Sequence, residues 1–149
     1  MPHDGPFVPT ARQAGRREFL KLVGGGALVL ATGACGGAQR PRGVYPAGGS
    51  SDLQVGGARP LDDARVLVRR DELGIYAVTT VCTHRGCALG LDGDRLACPC
   101  HGAAFDLEGR VLRGPATRQL EHYRVTLTDG GLAVDTSQVV PASMRLAAE

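Results

Sequence analysis

The sequence predicts a small all-β domain, an antiparallel β-sandwich or barrel, and three observations lead to this fold class. The 149 residues include 22 Gly and 9 Pro, a supply of turn formers that favours short strands over long helices. Apolar and β-branched residues alternate in short stretches, and no stretch of the body keeps the 3.6-residue period of an amphipathic helix. Turn signals recur at close spacing, as they do in small sandwiches and barrels.

Residues 1–35 predict an export signal that precedes the domain. Arg16 and Arg17 stand before Phe-Leu-Lys and a weakly hydrophobic run over 22–34, and together these features resemble a twin-arginine signal. The run is shorter than the roughly 20 apolar residues of a membrane span, and three consecutive glycines disfavour a core helix. We therefore expect export by the twin-arginine route, to the periplasm or the outer face of the cytoplasmic membrane.

Cys35 ends the signal segment in a context that resembles a lipoprotein processing site. Small residues occupy 32–34 before it and 36–37 after it, although an aliphatic residue is usual where Thr32 stands. We expect Cys35 to be acylated and to tether the protein to a membrane. The alternatives are a signal that stays uncleaved as an anchor and a free cysteine in a segment that is removed.

The rest of the chain divides into a linker, a domain and a tail. Glycine, proline and serine dominate residues 36–51, which predict a flexible linker. The folded domain is expected over 52–138. The C-terminal tail, 139–149, is compatible with a short helix from Pro141 onward and carries no recognisable chemistry.

The charge distribution argues against a nucleic-acid partner. The formal net charge of +2 arises in residues 1–34, which hold four basic and two acidic residues, whereas residues 35–149 hold 13 of each. A body with balanced charge has no basic excess to neutralise phosphates.

Two hairpins frame the predicted domain. The first joins residues 64–70, which alternate around Val66 and Val68, to the β-branched and apolar residues 75–81 through a turn at 71–74. The second occupies 121–136, where Asp-Gly-Gly at 129–131 supplies the turn. Between the two hairpins lies the stretch that carries the chemistry.

Residues 81–106 hold four of the five cysteines and two of the four histidines. They are arranged as Cys-x-His at Cys82 and His84, and as Cys-x-x-His at Cys98 and His101, with one further cysteine in each group. Three interpretations remain open at this point. A structural zinc site would use two thiolates and two imidazoles, a disulfide framework would use the cysteines alone, and an iron site would use all six residues.

The two groups read "CTHRGC" and "CPCHG", and they resemble the two boxes of Rieske iron–sulfur proteins. The resemblance continues through "FDLEGRVLRGPA", the strand and proline-bearing loop that follow the second box. It implies one [2Fe–2S] cluster in a β-domain with its histidine side towards solvent. The residues that it implies are the iron ligands Cys82 and Cys98, the ligands of the other iron His84 and His101, the disulfide Cys87 and Cys100, and the cluster environment Thr83, Arg85, Gly86, Pro99, Gly102, Ala103, Phe105, Gly114 and Pro115.

The extra pair of cysteines places the chain near one class within that family. Respiratory Rieske subunits and the small subunit of arsenite oxidase carry the disulfide, whereas Rieske ferredoxins and ring-hydroxylating oxygenases lack it. High-potential respiratory members have Ser and Tyr where this chain has Ala103 and Phe105, so two hydroxyl donors are missing. Quinol-oxidising members usually have an apolar residue where Arg85 stands.

The resemblance implies one-electron transfer by an exported, membrane-tethered redox subunit or shuttle. The expected partners are redox proteins, such as a cytochrome, a quinol-oxidising subunit or an oxidase subunit. No catalytic nucleophile or substrate pocket is identifiable, so an enzyme activity would belong to a complex. The alternatives are the Rieske subunit of a quinol-oxidising cytochrome bc-type complex and, from another class, a zinc-stabilised exported binding module.

Overall fold

The computed structural model describes residues 42–147, and every helix or strand element within that range is a β-strand. The strands are β1 (Val44–Gly48), β2 (Ala58–Leu61), β3 (Val66–Asp71), β4 (Gly74–Thr79), β5 (Gly90–Asp92), β6 (Arg95–Ala97), β7 (Ala104–Asp106), β8 (Val111–Arg113), β9 (His122–Thr128) and β10 (Gly131–Val140). Residues 42–147 include no helix of the length and apolar character needed to cross a bilayer.

The strands form two antiparallel sheets, which confirms the predicted fold class. The larger sheet has the order β1-β10-β9-β4-β3-β2, and the smaller one has the order β5-β6-β7-β8. Both predicted hairpins are present. β3 pairs with β4 up to Asp71 opposite Gly74, and β9 pairs with β10 up to Thr128 opposite Gly131.

The two outer strands of the larger sheet approach each other, so this sheet curls towards a barrel. Arg59 in β2 donates hydrogen bonds to the carbonyl oxygens of Ala47 in β1 and of Gly49 just after it. Because β1 and β2 stand at opposite ends of the strand order, one side chain can join them only if the sheet is strongly curved.

The linker prediction is wrong for the last part of residues 36–51. Val44–Gly48 forms β1, which pairs with β10 and buries Ala47. Pro46 and Gly48 suggested a linker, but an outer strand tolerates proline because one row of its amides needs no partner in the sheet. The backbones of β1 and β10 lie close together here, since a Cβ atom on Gly131 would stand 2.6 Å from the backbone oxygen of Gly48.

The described part of the C-terminal tail also belongs to the fold, and the short helix is not formed there. β10 continues to Val140, and Leu146 exchanges two backbone hydrogen bonds of 2.8 Å with Ile75. Arg145 donates to the Asp71 carboxylate at 2.8 Å and lies 4.0 Å from the centre of the Tyr76 ring.

The central strands β3 and β4 are buried on both faces because each face covers a different core. Val66, Val68 and Ala77 face a core inside the larger sheet, whereas Leu67 and Val78 face a second core next to the smaller sheet. This explains why β4 and the first three residues of β3 are buried without interruption. The second core also contains two cysteines, and it leads to the candidate site.

Candidate metal centre

The first cysteine-histidine group forms a tight loop after β4, which we call loop 1 (82–89). The Cys82 amide donates to the Cys87 oxygen and the Gly86 amide donates to the Cys82 oxygen, both at 2.8 Å. Gly86 has a φ of 77°, a left-handed conformation that glycine adopts without steric cost. These contacts make Gly86 a structural requirement of the loop.

The second group repeats this design in loop 2 (98–103), which follows β6. The Cys98 amide donates to the Ala103 oxygen at 2.8 Å, and the Gly102 amide donates to the Cys98 oxygen at 3.0 Å. Gly102 has a φ of 73°. Each loop therefore curls its backbone around the cysteine with which it begins.

A disulfide between Cys87 and Cys100 joins the two loops, as predicted. It bridges residues 13 apart in sequence and holds the loops face to face. The Cys98 Sγ lies within 4.8 Å of both bridging sulfurs. Because a disulfide leaves Cys87 and Cys100 no thiolate, these three sulfurs do not form a three-thiolate metal site.

Cys82 and Cys98 remain as free, buried thiols. Burial raises the pKa of Cys82, and the neighbouring Cys98 raises it further, while the amides of His84 and Arg85 act in the opposite direction. Two thiolates this close to each other and to an apolar core are costly without a cation. A bound metal ion would supply that cation, so the pair suits the cysteine side of an iron–sulfur site.

His84 and His101 lie together on the outer side of the loops. Their ring centroids are 4.9 Å apart and the rings meet edge to face at 89°. The Nδ1 atom of His84 is buried and has no hydrogen-bond partner, whereas His101 is exposed. A buried imidazole nitrogen without a partner is unfavourable, and a metal ion satisfies it.

A third segment, the proline loop (114–119), supports loops 1 and 2. The Thr83 hydroxyl donates to the Arg118 oxygen at 2.6 Å, which fastens this segment to loop 1. Arg113, the last residue of β8, donates from Nε to the Gly102 oxygen at 2.8 Å, which fastens β8 to loop 2. Gly114 and Pro115 are exposed between these two anchors and are joined by a cis peptide.

Gly114 and Pro115 are predicted from the sequence, whereas the contacts of Arg113 and Arg118 are not. The contact of Arg113 depends on its position opposite Ala104 in the smaller sheet, and that register is invisible until the strands are paired. The spacing from "CPCHG" to Gly-Pro was the one available signal, since it placed the loop near the boxes.

Ala103 and Phe105 are fully buried in the core beneath the loops, and neither offers a hydroxyl. Pro99 is exposed beside the disulfide. His122 is a packing residue of β9. It is 2% exposed, stacks on Tyr76 with centroids 5.6 Å apart, and donates from Nε2 to the Glu108 oxygen at 2.8 Å.

Two disulfide-linked loops on a small β-domain, offering two thiols inside and two imidazoles outside, define the class of iron–sulfur proteins with mixed cysteine and histidine ligation. Residues 43–124 match the Rieske [2Fe-2S] domain family, and the chain belongs to that family. It therefore carries one [2Fe–2S] cluster and functions in one-electron transfer, which decides against the zinc-stabilised module.

Several characterised relatives are similar over most of the chain. The cytochrome b6-f complex iron-sulfur subunit of Chlorobaculum tepidum is 34% identical over 135 residues, covering 80% of this chain and 74% of the relative. Subunit 2 of that name from Synechocystis sp. is 31% identical over 153 residues, covering 81% and 83%. The crystal structure of the plasma membrane Rieske protein from Synechocystis PCC 6803 is 32% identical, covers 61% of this chain and 98% of its own, and superposes with a TM-score of 0.48.

Proposed function

We propose that Cys82 and Cys98 hold one iron of the cluster and that His84 and His101 hold the other, in an exported one-electron carrier. The observation that carries this proposal is the pairing of His84 with His101, whose ring centroids are 4.9 Å apart and where the buried Nδ1 of His84 has no hydrogen-bond partner. The chemistry that a [2Fe–2S] cluster supplies when bound is reversible uptake of a single electron.

The remaining residues of the site position those ligands and control their exposure to water. The disulfide and the amide turns at Gly86 and Gly102 fix the backbone of both loops. The buried side of the site excludes water around the thiolates, since Cys82 and Cys98 are 2% and 4% exposed. His101 is exposed, and it offers the short route by which an electron leaves or enters.

The export part of the proposal rests on residues outside the described range. The twin arginines at 16 and 17 and the acylation candidate Cys35 precede residue 42, so only their sequence context supports them. The disulfide agrees with them, because such bonds persist in oxidising compartments outside the cytoplasm. We propose a protein tethered at the outer face of the cytoplasmic membrane, in the disulfide-bearing respiratory or arsenite-oxidase-like class.

A second candidate is the Rieske subunit of a quinol-oxidising complex. It is supported by the relatives named as cytochrome b6-f iron-sulfur subunits. Arg85 argues against it, because it places an exposed cation on the loop where such members usually present an apolar surface. Addition of a quinol to membranes that contain the protein separates the two candidates: rapid reduction sensitive to quinone-site inhibitors favours the second.

Metal analysis and EPR on the purified full chain test the ligand proposal. We expect two iron and two sulfide per chain and a rhombic signal of low average g. His84→Ala and His101→Ala should each lose that signal, whereas Gln119→Ala in the proline loop should keep it. An unchanged rhombic signal in either histidine variant would remove that residue from the ligand set.

A further inference from the structure

Loops 1 and 2, the proline loop and the last residue of β8 together carry three exposed arginines and no acidic residue. Arg85 follows His84 directly, the Arg113 side chain contacts Gly102 next to His101, and the Arg118 oxygen accepts from Thr83 next to His84. We call these three arginines the basic rim. Loops 1 and 2 and the proline loop contain no Asp or Glu, so the rim contributes three positive charges that no acidic residue of these loops compensates.

The register of the smaller sheet keeps acidic residues away from the rim. Gly90, Ala97, Ala104 and Arg113 form one row across β5 to β8, at the end from which loops 1 and 2 and the proline loop emerge. Asp92, Arg95 and Asp106 form a row at the opposite end.

The acidic residues at that opposite end already have cationic neighbours. Arg95 pairs with Asp92 at 2.7 Å, and Arg110 pairs with Glu108 at 2.5 Å. With Asp94 and Asp106, that end holds four acidic and two basic residues, a formal charge of 2 − 4 = −2. Across residues 42–147, by contrast, no ion pair joins a carboxylate to a side chain of the basic rim.

We propose that the basic rim docks an acidic surface patch on the redox partner, around the partner's own electron-transfer centre. This rests on the proposed function and specifies its partner: a one-electron carrier protein whose rim is rich in carboxylates. Opposite charges around two redox centres orient the encounter, so that His101 meets the partner rather than the far end of the domain. The charge separation between the two ends of the smaller sheet adds to that orientation.

A matched pair of probe proteins tests the sign of the docking charge. One probe is a lysine-rich cytochrome c, and the other is the same cytochrome after its lysines have been converted to carboxylates with succinic anhydride. Stopped-flow oxidation of the reduced protein should be faster with the carboxylate form. Its rate constant should fall about tenfold as salt rises and the screening length shrinks from ~30 Å to ~8 Å.

The rim variant and its control locate the effect. Arg85→Gln with Arg118→Gln should flatten the salt dependence for the carboxylate form, whereas Arg95→Gln with Arg110→Gln, which removes the same charge at the far end, should keep it. The salt dependence is the decisive readout, because a changed midpoint potential would shift the rates at every salt concentration alike.

The possible outcomes separate this inference from the proposed function. Electron transfer to both cytochromes with no preference, or with a preference for the lysine-rich form, would overturn the acidic partner while leaving the carrier function intact. A protein that no one-electron reagent reduces or oxidises would overturn the carrier function itself. Binding of anionic lipid vesicles that the rim variant loses, without a preference between the cytochromes, would assign the basic rim to a membrane surface and also overturn the proposal.

Discussion

Ala103 and Phe105 stand at the two positions where the resemblance implies hydroxyl donors in high-potential respiratory members. Both side chains are fully buried beneath the ligand loops, so water cannot replace the missing hydroxyls readily. A hydrogen bond to a cluster sulfur stabilises the more negative, reduced state. The absence of both donors therefore favours a lower midpoint potential. This effect depends on the two residues and not on the fold.

We predict that Ala103→Ser and Phe105→Tyr each raise the midpoint potential. A hydrogen bond to a charged group contributes roughly 1.5–3 kcal/mol, and ~1.4 kcal/mol corresponds to about 59 mV for one electron. Each gain should thus be on the order of 60–130 mV, as measured by protein-film voltammetry at neutral pH. Phe105→Leu is the control, since it disturbs the same core without adding a hydroxyl. A wild-type midpoint near the top of the Rieske range, about +300 mV, would contradict the argument.

His122 gives a second prediction, which concerns stability and pH. Burial lowers the pKa of His122 from its ordinary value of 6.5; the hydrogen bond to the Glu108 oxygen opposes this shift, and the charge of Arg145 adds to it. The unfolded chain therefore binds a proton at a higher pH than the folded protein does. The free energy of unfolding should fall as the pH drops below 6.5, until it passes the lowered pKa.

Urea unfolding of the loaded protein across that pH range measures this effect. His122→Gln keeps a donor for the Glu108 oxygen but does not titrate, so its stability should depend less steeply on pH. His84 and His101 are present in both proteins, so their contribution cancels in the comparison. Parallel pH profiles for the two proteins would show that His122 does not titrate differently on folding.

At the scale of the elements, the sequence predicted the two hairpins and the positions of loops 1 and 2, and it failed at the ends of the domain. Regular alternation and Gly-containing turns marked β3–β4 and β9–β10, because those signals are local. The sequence predicted a linker where β1 lies, because Pro46 and Gly48 suit an outer strand as well as a coil. The contacts of Leu146 and Arg113 join distant segments, so no local pattern could reveal them.

The disulfide is the connection between elements on which the site depends most. We predict that replacing both Cys87 and Cys100 by Ser lowers iron content and thermal stability. In the chain-entropy model, closing a loop of this size contributes about 3 kcal/mol, and the loops also lose their direct link. Iron analysis and thermal unfolding of the purified variant measure both effects, with Ser143→Ala as a surface control. Full cluster occupancy and an unchanged melting temperature in the double variant would show that hydrogen bonds alone hold the loops together.

At the scale of the whole molecule, the candidate site lies at one end of the domain, and the two sheets have different roles. The larger sheet supplies the rigid support, because its central strands are buried on both sides. The smaller sheet carries loop 2 and Arg113 at one end and the acidic hairpin turns at the other. A carrier built this way can present its histidines to a partner while the support stays unchanged.

The last prediction concerns the proposed membrane tether at Cys35. If Cys35 is acylated after export, the wild-type protein should sediment with membranes, and Cys35→Ala should not be processed or lipidated at that site. The physical reason is that the apolar run over 22–34 is too short to cross a bilayer. Acyl chains on Cys35 would instead provide the apolar area that holds the protein at the membrane. Membrane fractionation with mass spectrometry of the mature N-terminus measures both properties, and Arg16→Lys with Arg17→Lys, which should retain the protein in the cytoplasm, controls for export. Equal membrane retention of wild type and Cys35→Ala, each with residues 1–34 still attached, would identify an uncleaved signal anchor instead of a lipid.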